Sequence, residues 1–129
     1  MKPFILVVDD DDNIRMLLEF LLQKSYRVMV REDGLDAMAW LSAGNIPDLM
    51  IIDLEMPRLN GFDLLKQVRA SGVFRHIPLI ILSGYENPSV QQSCLDAGAD
   101  AYLLKPFNPE VIHTTIHQLL TNHRIESVK

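Results

Sequence analysis

A strand that ends in an aspartate constrains this chain more than any other feature. Residues 49–52 are four consecutive apolar residues, and Asp53 follows directly. Such a run predicts a strand buried on both faces, as in parallel sheets covered by helices. Pro57 and the pair Asn60-Gly61 then predict a loop. Ligands bind at the carboxyl ends of strands in open parallel sheets, so Asp53 is a candidate for chemistry, although an Asp here can also simply cap a loop.

Strands and helices are predicted to alternate along the rest of the chain. Short, mostly apolar runs predict further strands over 4–8, 27–30, 79–82 and 101–104. The predicted helices run from about 12 to 24, from the cap at Asp33 to Gly44, from Phe62 to about Ser71, from the cap at Asn87 to about Ala97, and from the cap at Asn108 through Leu120. This alternation predicts an α/β fold: a doubly wound, five-stranded parallel sheet in the order 2-1-3-4-5 with helices on both faces.

Apolar residues at helical spacing predict the buried faces of the first two helices. In the first helix they are Ile14, Leu17, Leu18, Leu21 and Leu22. In the second they are Leu35, Met38, Ala39 and Leu41. Trp40, Cys94 and the methionines at positions 16, 29, 38 and 50 are interpreted as packing residues as well.

Length, composition and charge favour one folded domain and disfavour several function classes. The 129 residues are 48% hydrophobic and 22% charged, and we predict a domain over 1–122 with a polar tail over 123–129. No apolar stretch reaches the ~20 residues of a membrane span, and acids begin too early for a signal peptide, so a cytoplasmic location without membrane contact is expected. A net charge of −5 without a Lys/Arg cluster predicts no direct DNA binding. The single Cys94 agrees with a reducing compartment.

Side chains with chemical function follow four of the five predicted strands. They are Asp9 and Asp10, Asp53, Ser83 and Lys105. The carboxyl ends of parallel strands share one edge of a sheet, so these groups are expected to converge. Close carboxylates repel by ~4 kcal/mol per pair at an effective dielectric of about 20, and Mg²⁺ suits such oxygen ligands. A carboxylate nucleophile, a metal, a cation and a hydroxyl are the parts that phosphoryl transfer requires.

At these positions the sequence resembles the receiver domains of two-component response regulators. The matching motifs are Ile-Leu-Val-Val-Asp9-Asp10, Asp53-Leu-Glu-Met-Pro57 with Asn60-Gly61, Leu82-Ser83-Gly84, and Gly98-Ala-Asp-Ala-Tyr102-Leu-Leu-Lys105-Pro106-Phe107. The resemblance covers residues 4 to about 121. Four acids in a row leave the register of the acid pair open, and Arg15, placed as in similar domains, favours Asp9 with Asp10 over Asp10 with Asp11.

The resemblance implies a role for each strand-end residue. Asp53 would be the phosphoacceptor. Asp9 and Asp10 would hold Mg²⁺ together with Asp53 and the backbone carbonyl of Glu55. The remaining contacts to the phosphoryl group would come from Ser83 and Lys105.

The resemblance implies one backbone feature as well. The Lys105-Pro106 peptide bond would be cis. Glu55 and Tyr85, each two residues beyond a site residue, would flank the path of the water that hydrolyses the acyl phosphate. The chain departs from the family at position 84, which is Gly where Ala is commoner.

The implied function is a phosphorylation-dependent change in protein binding. A sensor histidine kinase or a histidine phosphotransfer protein would pass a phosphoryl group to Asp53. The domain would catalyse its own phosphorylation and dephosphorylation without being an enzyme that turns over a substrate. Ser83 and Tyr102 would form the switch, and a downstream target protein would bind the face formed by helix four, strand five and helix five. A phosphorylation-dependent homodimer is a candidate assembly.

Two other functions stay open on the sequence. One is a degenerate receiver that docks partners without phosphorylation, although the strand-end residues are intact. The other starts from Asp9-x-Asp11, which resembles the nucleophile motif of haloacid-dehalogenase-type phosphatases. Asn13 stands where those enzymes usually have Thr or Val, and they also need a cap or a longer core. Phosphatase activity that is lost in Asp9→Asn and kept in Asp53→Asn would favour this second function.

Overall fold

Strands and helices alternate in the structure as the sequence predicts. The computed structural model describes residues 2–128, with side chains through residue 122. The elements are β1 (Phe4–Val8), α1 (Asp12–Leu22), β2 (Arg27–Arg31), α2 (Gly34–Ser42), β3 (Leu49–Asp53), α3 (Gly61–Ala70), β4 (Leu79–Ser83), α4 (Pro88–Asp96), β5 (Ala101–Leu104) and α5 (Pro109–Val128). The predicted strands are therefore confirmed to within one residue at each end.

The strands form one parallel sheet in the order β2-β1-β3-β4-β5. In the ladder between β3 and β4, Asp53 pairs with Leu82, and in the ladder between β4 and β5, Ser83 pairs with Leu104. This register brings the last residues of neighbouring strands to the same edge of the sheet. The predicted sheet order and the shared carboxyl edge are both confirmed.

The central strands are buried because helices cover both faces of the sheet. Alternate residues of a strand point to opposite faces, so β1 and β3 contribute to two cores. One core, beneath α2, α3 and α4, includes Leu6, Val8, Met50, Ile52, Trp40, Leu64 and Cys94. The other, beneath α1 and α5, includes Ile5, Val7, Leu49, Ile51, Leu18, Leu22, Ile112 and Ile116. Full burial of such a side chain contributes about 1.5–3 kcal/mol, which holds the central strands, and therefore their carboxyl ends, in place.

Side-chain caps begin the helices where the sequence places Asp or Asn. The residues whose carboxylate or amide oxygen accepts from the first-turn backbone N–H groups are Asp11, Asp33, Asn60, Asn87 and Asn108. Each such cap stabilises its helix by about 1 kcal/mol. The caps also fix where the loops at the carboxyl edge of the sheet end, because every one of these helices follows a strand.

The predicted packing of α1 is partly wrong. Leu18 and Leu22 are buried as expected, but Met16 is 67% exposed and Leu17 is also exposed. Phe20, one helical turn after Met16, is exposed on the same side. The buried stripe of α1 is thus narrower than the run of apolar residues, because a surface helix rests on the sheet along one face only.

The predicted face of α2 is also partly wrong, because the helix is rotated relative to the expectation. Leu35 and Ala39 are exposed and Ala37 is buried, contrary to the predicted face, whereas Trp40 and Leu41 are buried as predicted. The N-terminus of α2 sets this rotation: a Cβ on Gly34 would lie 2.3 Å from the carbonyl oxygen of Leu59, so Gly34 must face that loop. Ala37 and Trp40, three and six residues after Gly34, then face the core.

The last helix is longer than its apolar pattern. α5 continues through Val128, so the backbone of 123–128 is helical. The side chains of that segment, and Lys129, lie outside the described residues, and the division of the chain at residue 122 stays a prediction. Within residues 2–128 we find no helix whose length and apolar content would let it cross a membrane.

Candidate functional site

Three carboxylates meet at the carboxyl edge of the sheet. Asp9 follows β1, Asp53 ends β3, and Asp10 lies beside them, with one oxygen of each within 4.8 Å of the others. Asp9 is 1% exposed and Asp53 is 3% exposed, while Asp10 faces solvent. The sequence-predicted acids are therefore brought together, with two of them in a position where water screens their charges poorly.

Lys105 provides the positive charge of this cluster. Its Nζ lies 3.0 Å from Asp9 Oδ2 and 3.0 Å from Asp53 Oδ1. Burial lowers the pKa of Lys105, but the hydrogen bonds and charges of Asp53 and Asp9 outweigh it and hold that pKa above its ordinary value. The backbone N–H of Lys105 donates to the Ser83 carbonyl at 2.8 Å, which anchors the end of β5, and the Lys105-Pro106 bond is cis as the resemblance implies.

Asp53 binds its proton unusually strongly. Burial is the main cause, the negative charge of Asp9 adds to it, and together they raise the pKa of Asp53 to about 7 although Lys105 acts in the opposite direction. A carboxylate with this pKa is partly protonated at neutral pH. Any cation that enters the cluster would lower the pKa of Asp53 and leave the oxygen free to react.

Asp9 is held by its surroundings from three sides. Arg15 Nη1 donates to the Asp9 carbonyl at 2.6 Å, and the backbone N–H of Asp11 donates to Asp9 Oδ1 at 2.9 Å. The other oxygen, Oδ2, is buried and accepts no directed hydrogen bond from the described residues, although Lys105 Nζ lies near it as an ion pair. A fixed, buried carboxylate oxygen with spare acceptor capacity, next to two more carboxylates, fits a hard cation such as Mg²⁺.

The loop from Leu54 to Asn60 is fixed at its start and in its middle. At its start, the backbone N–H of Glu55 lies 3.4 Å from Asp53 Oδ1. In its middle, Arg58 has a positive φ of 64° and donates through Nε to the buried carboxylate of Asp33 at 2.8 Å. Burial acts to raise the pKa of Asp33, but the backbone hydrogen bond at the α2 cap and the hydrogen bond and charge of Arg58 together hold that pKa below its ordinary value. This ion pair ties the loop after Asp53 to the N-terminus of α2.

Ser83 is buried, and its hydroxyl makes two hydrogen bonds. Ser83 Oγ donates to Glu55 Oε1 at 2.8 Å and accepts from the backbone N–H of Tyr85 at 3.0 Å. The Tyr85 carbonyl in turn accepts from the Tyr102 hydroxyl at 3.1 Å. Two hydrogen bonds through the backbone of Tyr85 thus connect Ser83 to Tyr102.

Sequence reasoning assigned Glu55 a metal-binding carbonyl and a position beside the path of the hydrolytic water, and it missed the hydrogen bond from Ser83 to the Glu55 side chain. The signal was available in principle. Glu55 lies two residues after Asp53, and Ser83 ends the neighbouring strand one residue after the partner of Asp53, so the two side chains are within reach of each other. A second missed contact is the ion pair between Arg58 and Asp33. Both residues lie in loops, so the pairing of neighbouring strands does not predict that they meet.

Comparison with known protein families decides the identity of this site. Residues 5–117 match the family described as the response regulator receiver domain. The chain belongs to this family. The receiver domain is a signalling domain of two-component systems, which act by phosphorylation. Among the residues that the structure describes, Asp9, Asp10 and Asp53 form a cluster that could bind the metal such domains use.

Individual relatives and solved structures agree with the family. The response regulator MprA of Mycobacterium ulcerans (strain Agy99) is 37% identical over 98% of this chain and 53% of its own length. The two-component response regulator ORR3 of Oryza sativa subsp. indica is 33% identical over 92% of each chain. The chain therefore spans about half the length of the MprA relatives and nearly all of the ORR3 relative.

Two solved structures match the receiver fold closely. The chemotaxis protein CheY4 of Vibrio cholerae superimposes with a TM-score of 0.85 at 32% identity, over 92% of this chain and 99% of that one. The signal receiver domain of a signal transduction histidine kinase from Syntrophus aciditrophicus gives a TM-score of 0.86 at 29% identity, over 93% and 91%. The comparisons support neither the phosphatase nor the phosphorylation-independent docking module.

Proposed function

We propose that Asp53 accepts a phosphoryl group from the phosphohistidine of a sensor histidine kinase or a histidine phosphotransfer protein. The observation that carries this proposal is the buried Asp53 carboxylate at the carboxyl edge, 3.0 Å from the Lys105 ammonium and beside two further acids. In the reaction, an Asp53 oxygen attacks phosphorus and the bond from phosphorus to the histidine nitrogen breaks. The products are an acyl phosphate on Asp53 and a histidine that regains its proton from solvent.

The acids of the site would hold the metal. Asp9, Asp10 and Asp53 supply carboxylate oxygens, and the backbone carbonyl of Glu55 is the fourth protein ligand that we assign. When bound, Mg²⁺ supplies positive charge that offsets the clustered carboxylates and the incoming phosphoryl oxygens. The spare acceptor capacity of the buried Asp9 Oδ2 supports this assignment.

Lys105 and Ser83 would contact the phosphoryl group after transfer. The Lys105 ammonium already lies between Asp9 and Asp53, so it can pair with a phosphoryl oxygen after a small movement. The Ser83 hydroxyl can donate to a second oxygen once its bond to Glu55 is released. Both contacts favour the phosphorylated form, because a phosphoryl group adds about two negative charges and strong acceptors.

The output would be binding through the face made of α4, β5 and α5, residues 88–97, 100–104 and 109–120. Exposed apolar side chains on this face include Leu95, Leu104 and Val111. Tyr102 connects the face to Ser83 through the Tyr85 carbonyl, so movement of Ser83 reaches it. A downstream target protein, or a second phosphorylated copy, would bind there.

A small phosphodonor tests the acceptor. Acetyl phosphate with MgCl₂ is expected to add one phosphoryl group, located on the peptide that contains Asp53, and chelation of the metal with EDTA is expected to abolish the addition, because the carboxylates then repel the incoming anion. Intact-mass and peptide mass spectrometry measure both. Asp53→Asn should remain unmodified, with Asp63→Asn, at a partly exposed acid of α3, as the matched control. A mass increment that persists in Asp53→Asn would contradict the acceptor, and no increment on Asp53 in the parent would favour the docking module.

A second prediction addresses the output face. Beryllium fluoride with MgCl₂, which mimics the phosphoryl group, should shift the NMR signals of Ser83 to Tyr85, α4 and Tyr102. Ser83→Ala should leave Asp53 modifiable but remove the shifts in α4 and at Tyr102, since the hydroxyl that joins the two regions is gone. Shifts confined to the loops around Asp10, Asp53 and Lys105 in the parent would show that the domain does not signal through this face.

A further inference from the structure

The side chain of Glu55 holds the hydroxyl on which the proposed role of Ser83 depends. A serine hydroxyl has one proton to donate, and here Glu55 Oε1 accepts it at 2.8 Å. Ser83 is fully buried and Glu55 is half-buried, so water competes weakly for this contact. Because the acceptor is a carboxylate, the bond belongs to the stronger, charge-assisted class.

We propose that Glu55 is the resting-state acceptor of the Ser83 proton, and that a phosphoryl group on Asp53 must displace it. This inference rests on the proposed function of Asp53. The Glu55 carboxylate and a phosphoryl oxygen are both anionic acceptors, and one hydroxyl proton can satisfy only one of them. Glu55 is a positioning residue, because its side chain acts through Ser83 and not on the reacting atoms.

The exchange of acceptors would reach Tyr102 on the neighbouring strand β5. A chain of hydrogen bonds runs from Glu55 through Ser83 Oγ and the backbone of Tyr85 to the hydroxyl of Tyr102 on β5. With Glu55 as acceptor, the proton of the Ser83 hydroxyl points to Glu55 and all three hydrogen bonds are made. When the proton turns toward a phosphoryl group, the hydrogen bond from Ser83 to Glu55 is lost. Rotation of the hydroxyl would also disturb the hydrogen bond that Ser83 Oγ accepts from the Tyr85 N–H.

Glu55 would therefore set how easily the domain is activated. Only molecules whose Ser83 hydroxyl is free can make the new contact, and the apparent affinity for a phosphoryl-like anion falls in proportion to that fraction. Removal of the Glu55 carboxylate should raise the fraction. The backbone carbonyl at this position, which we assign to the metal, is unaffected by a change of side chain.

The affinity for beryllium fluoride in the presence of MgCl₂ tests this directly, measured by isothermal titration calorimetry. Glu55→Ala is expected to bind roughly tenfold more tightly than the parent, because the charge-assisted bond is gone. Glu55→Gln should lie between them, since its amide oxygen still accepts the proton but carries no charge. Glu86→Ala removes an exposed acid from the loop after β4 and should leave the affinity unchanged.

The same change in a Ser83→Ala background separates the proposal from simple charge repulsion. With no hydroxyl to release, Glu55→Ala should change the affinity by less than about twofold relative to Ser83→Ala alone. An equal gain in both backgrounds would mean that Glu55 acts through its charge alone and would overturn the inference, while the role of Asp53 would stand. If the parent does not bind beryllium fluoride at all, the proposed function itself is wrong, and this inference with it.

Discussion

Asp53→Asn is expected to raise the free energy of unfolding by about 1–3 kcal/mol in metal-free buffer at pH 8. The charged form of Asp53 is disfavoured in the folded protein because it is buried and lies beside Asp9, which raises its pKa to about 7 from an ordinary 3.8. That difference corresponds to about 4 kcal/mol. The expected gain is smaller because the amide that replaces the carboxylate gives up the ion pair with Lys105.

The same pKa fixes how the stability of the parent depends on pH. Between about pH 4 and pH 7, the folded protein keeps a proton on Asp53 that the unfolded chain has already released. The folded state is therefore the one that binds more protons, and the stability falls as the pH rises through this window. Lys105, whose pKa lies above its ordinary value, stays protonated throughout and does not contribute to the slope.

Urea unfolding at pH 5 and pH 8 in EDTA measures both expectations. The difference between Asp53→Asn and the parent should be larger at pH 8 than at pH 5, because the parent carries the unfavourable charge only at the higher pH. Glu86→Gln, at an exposed site, should have the same free energy of unfolding as the parent at both pH values. Saturating MgCl₂ should shrink the difference, since a bound cation favours the charged form. An Asp53→Asn variant that is less stable than the parent at pH 8 in EDTA would show that the ion pair with Lys105 outweighs burial.

Most of the fold followed from the sequence because its signals were local and redundant. Apolar runs predicted the strands, and Asp or Asn caps predicted the helix starts. In a parallel sheet, all the strands have their carboxyl ends at the same edge. The convergence of Asp9, Asp53 and Lys105 needed no knowledge of side-chain conformation, since each directly follows or ends a strand. Topology alone was sufficient for this part of the site.

The features that sequence reasoning missed depend on contacts between distant segments. The rotation of α2 is set by the approach of Gly34 to Leu59, which lies 25 residues further along the chain and carries no periodic signal. The bond from Ser83 to Glu55 depends on which way the Glu55 side chain turns from its loop and on how the Ser83 hydroxyl rotates at the end of β4. Apolar periodicity identified α1 correctly but could not show that Met16 lies on its outer side, because spacing does not reveal how wide a stripe the sheet can cover.

Gly61→Ala is expected to destabilise the protein by about 3 kcal/mol. Helix propensity alone predicts the opposite sign, because Gly61 is the first residue of α3 and Ala favours a helix over Gly by about 1 kcal/mol. The steric effect should dominate. A Cβ at Gly61 would lie 2.3 Å from the Asp53 carbonyl oxygen and 2.8 Å from Leu54 Cα, and both are backbone atoms that cannot turn aside as a side chain can.

The matched control for this change is Gly84→Ala, in the loop that follows Ser83. A Cβ at Gly84 would meet nothing within 4 Å, so the stability should stay within about 0.5 kcal/mol of the parent. Urea unfolding measures both variants. Because relief of the clash at Gly61 requires the end of β3 to move, Gly61→Ala should also weaken Mg²⁺ binding, followed by calorimetry, while Gly84→Ala should not. If Gly61→Ala were as stable as Gly84→Ala, the backbone around Asp53 would have to be compliant, and the close approach of α3 could not be what fixes the position of the phosphoacceptor.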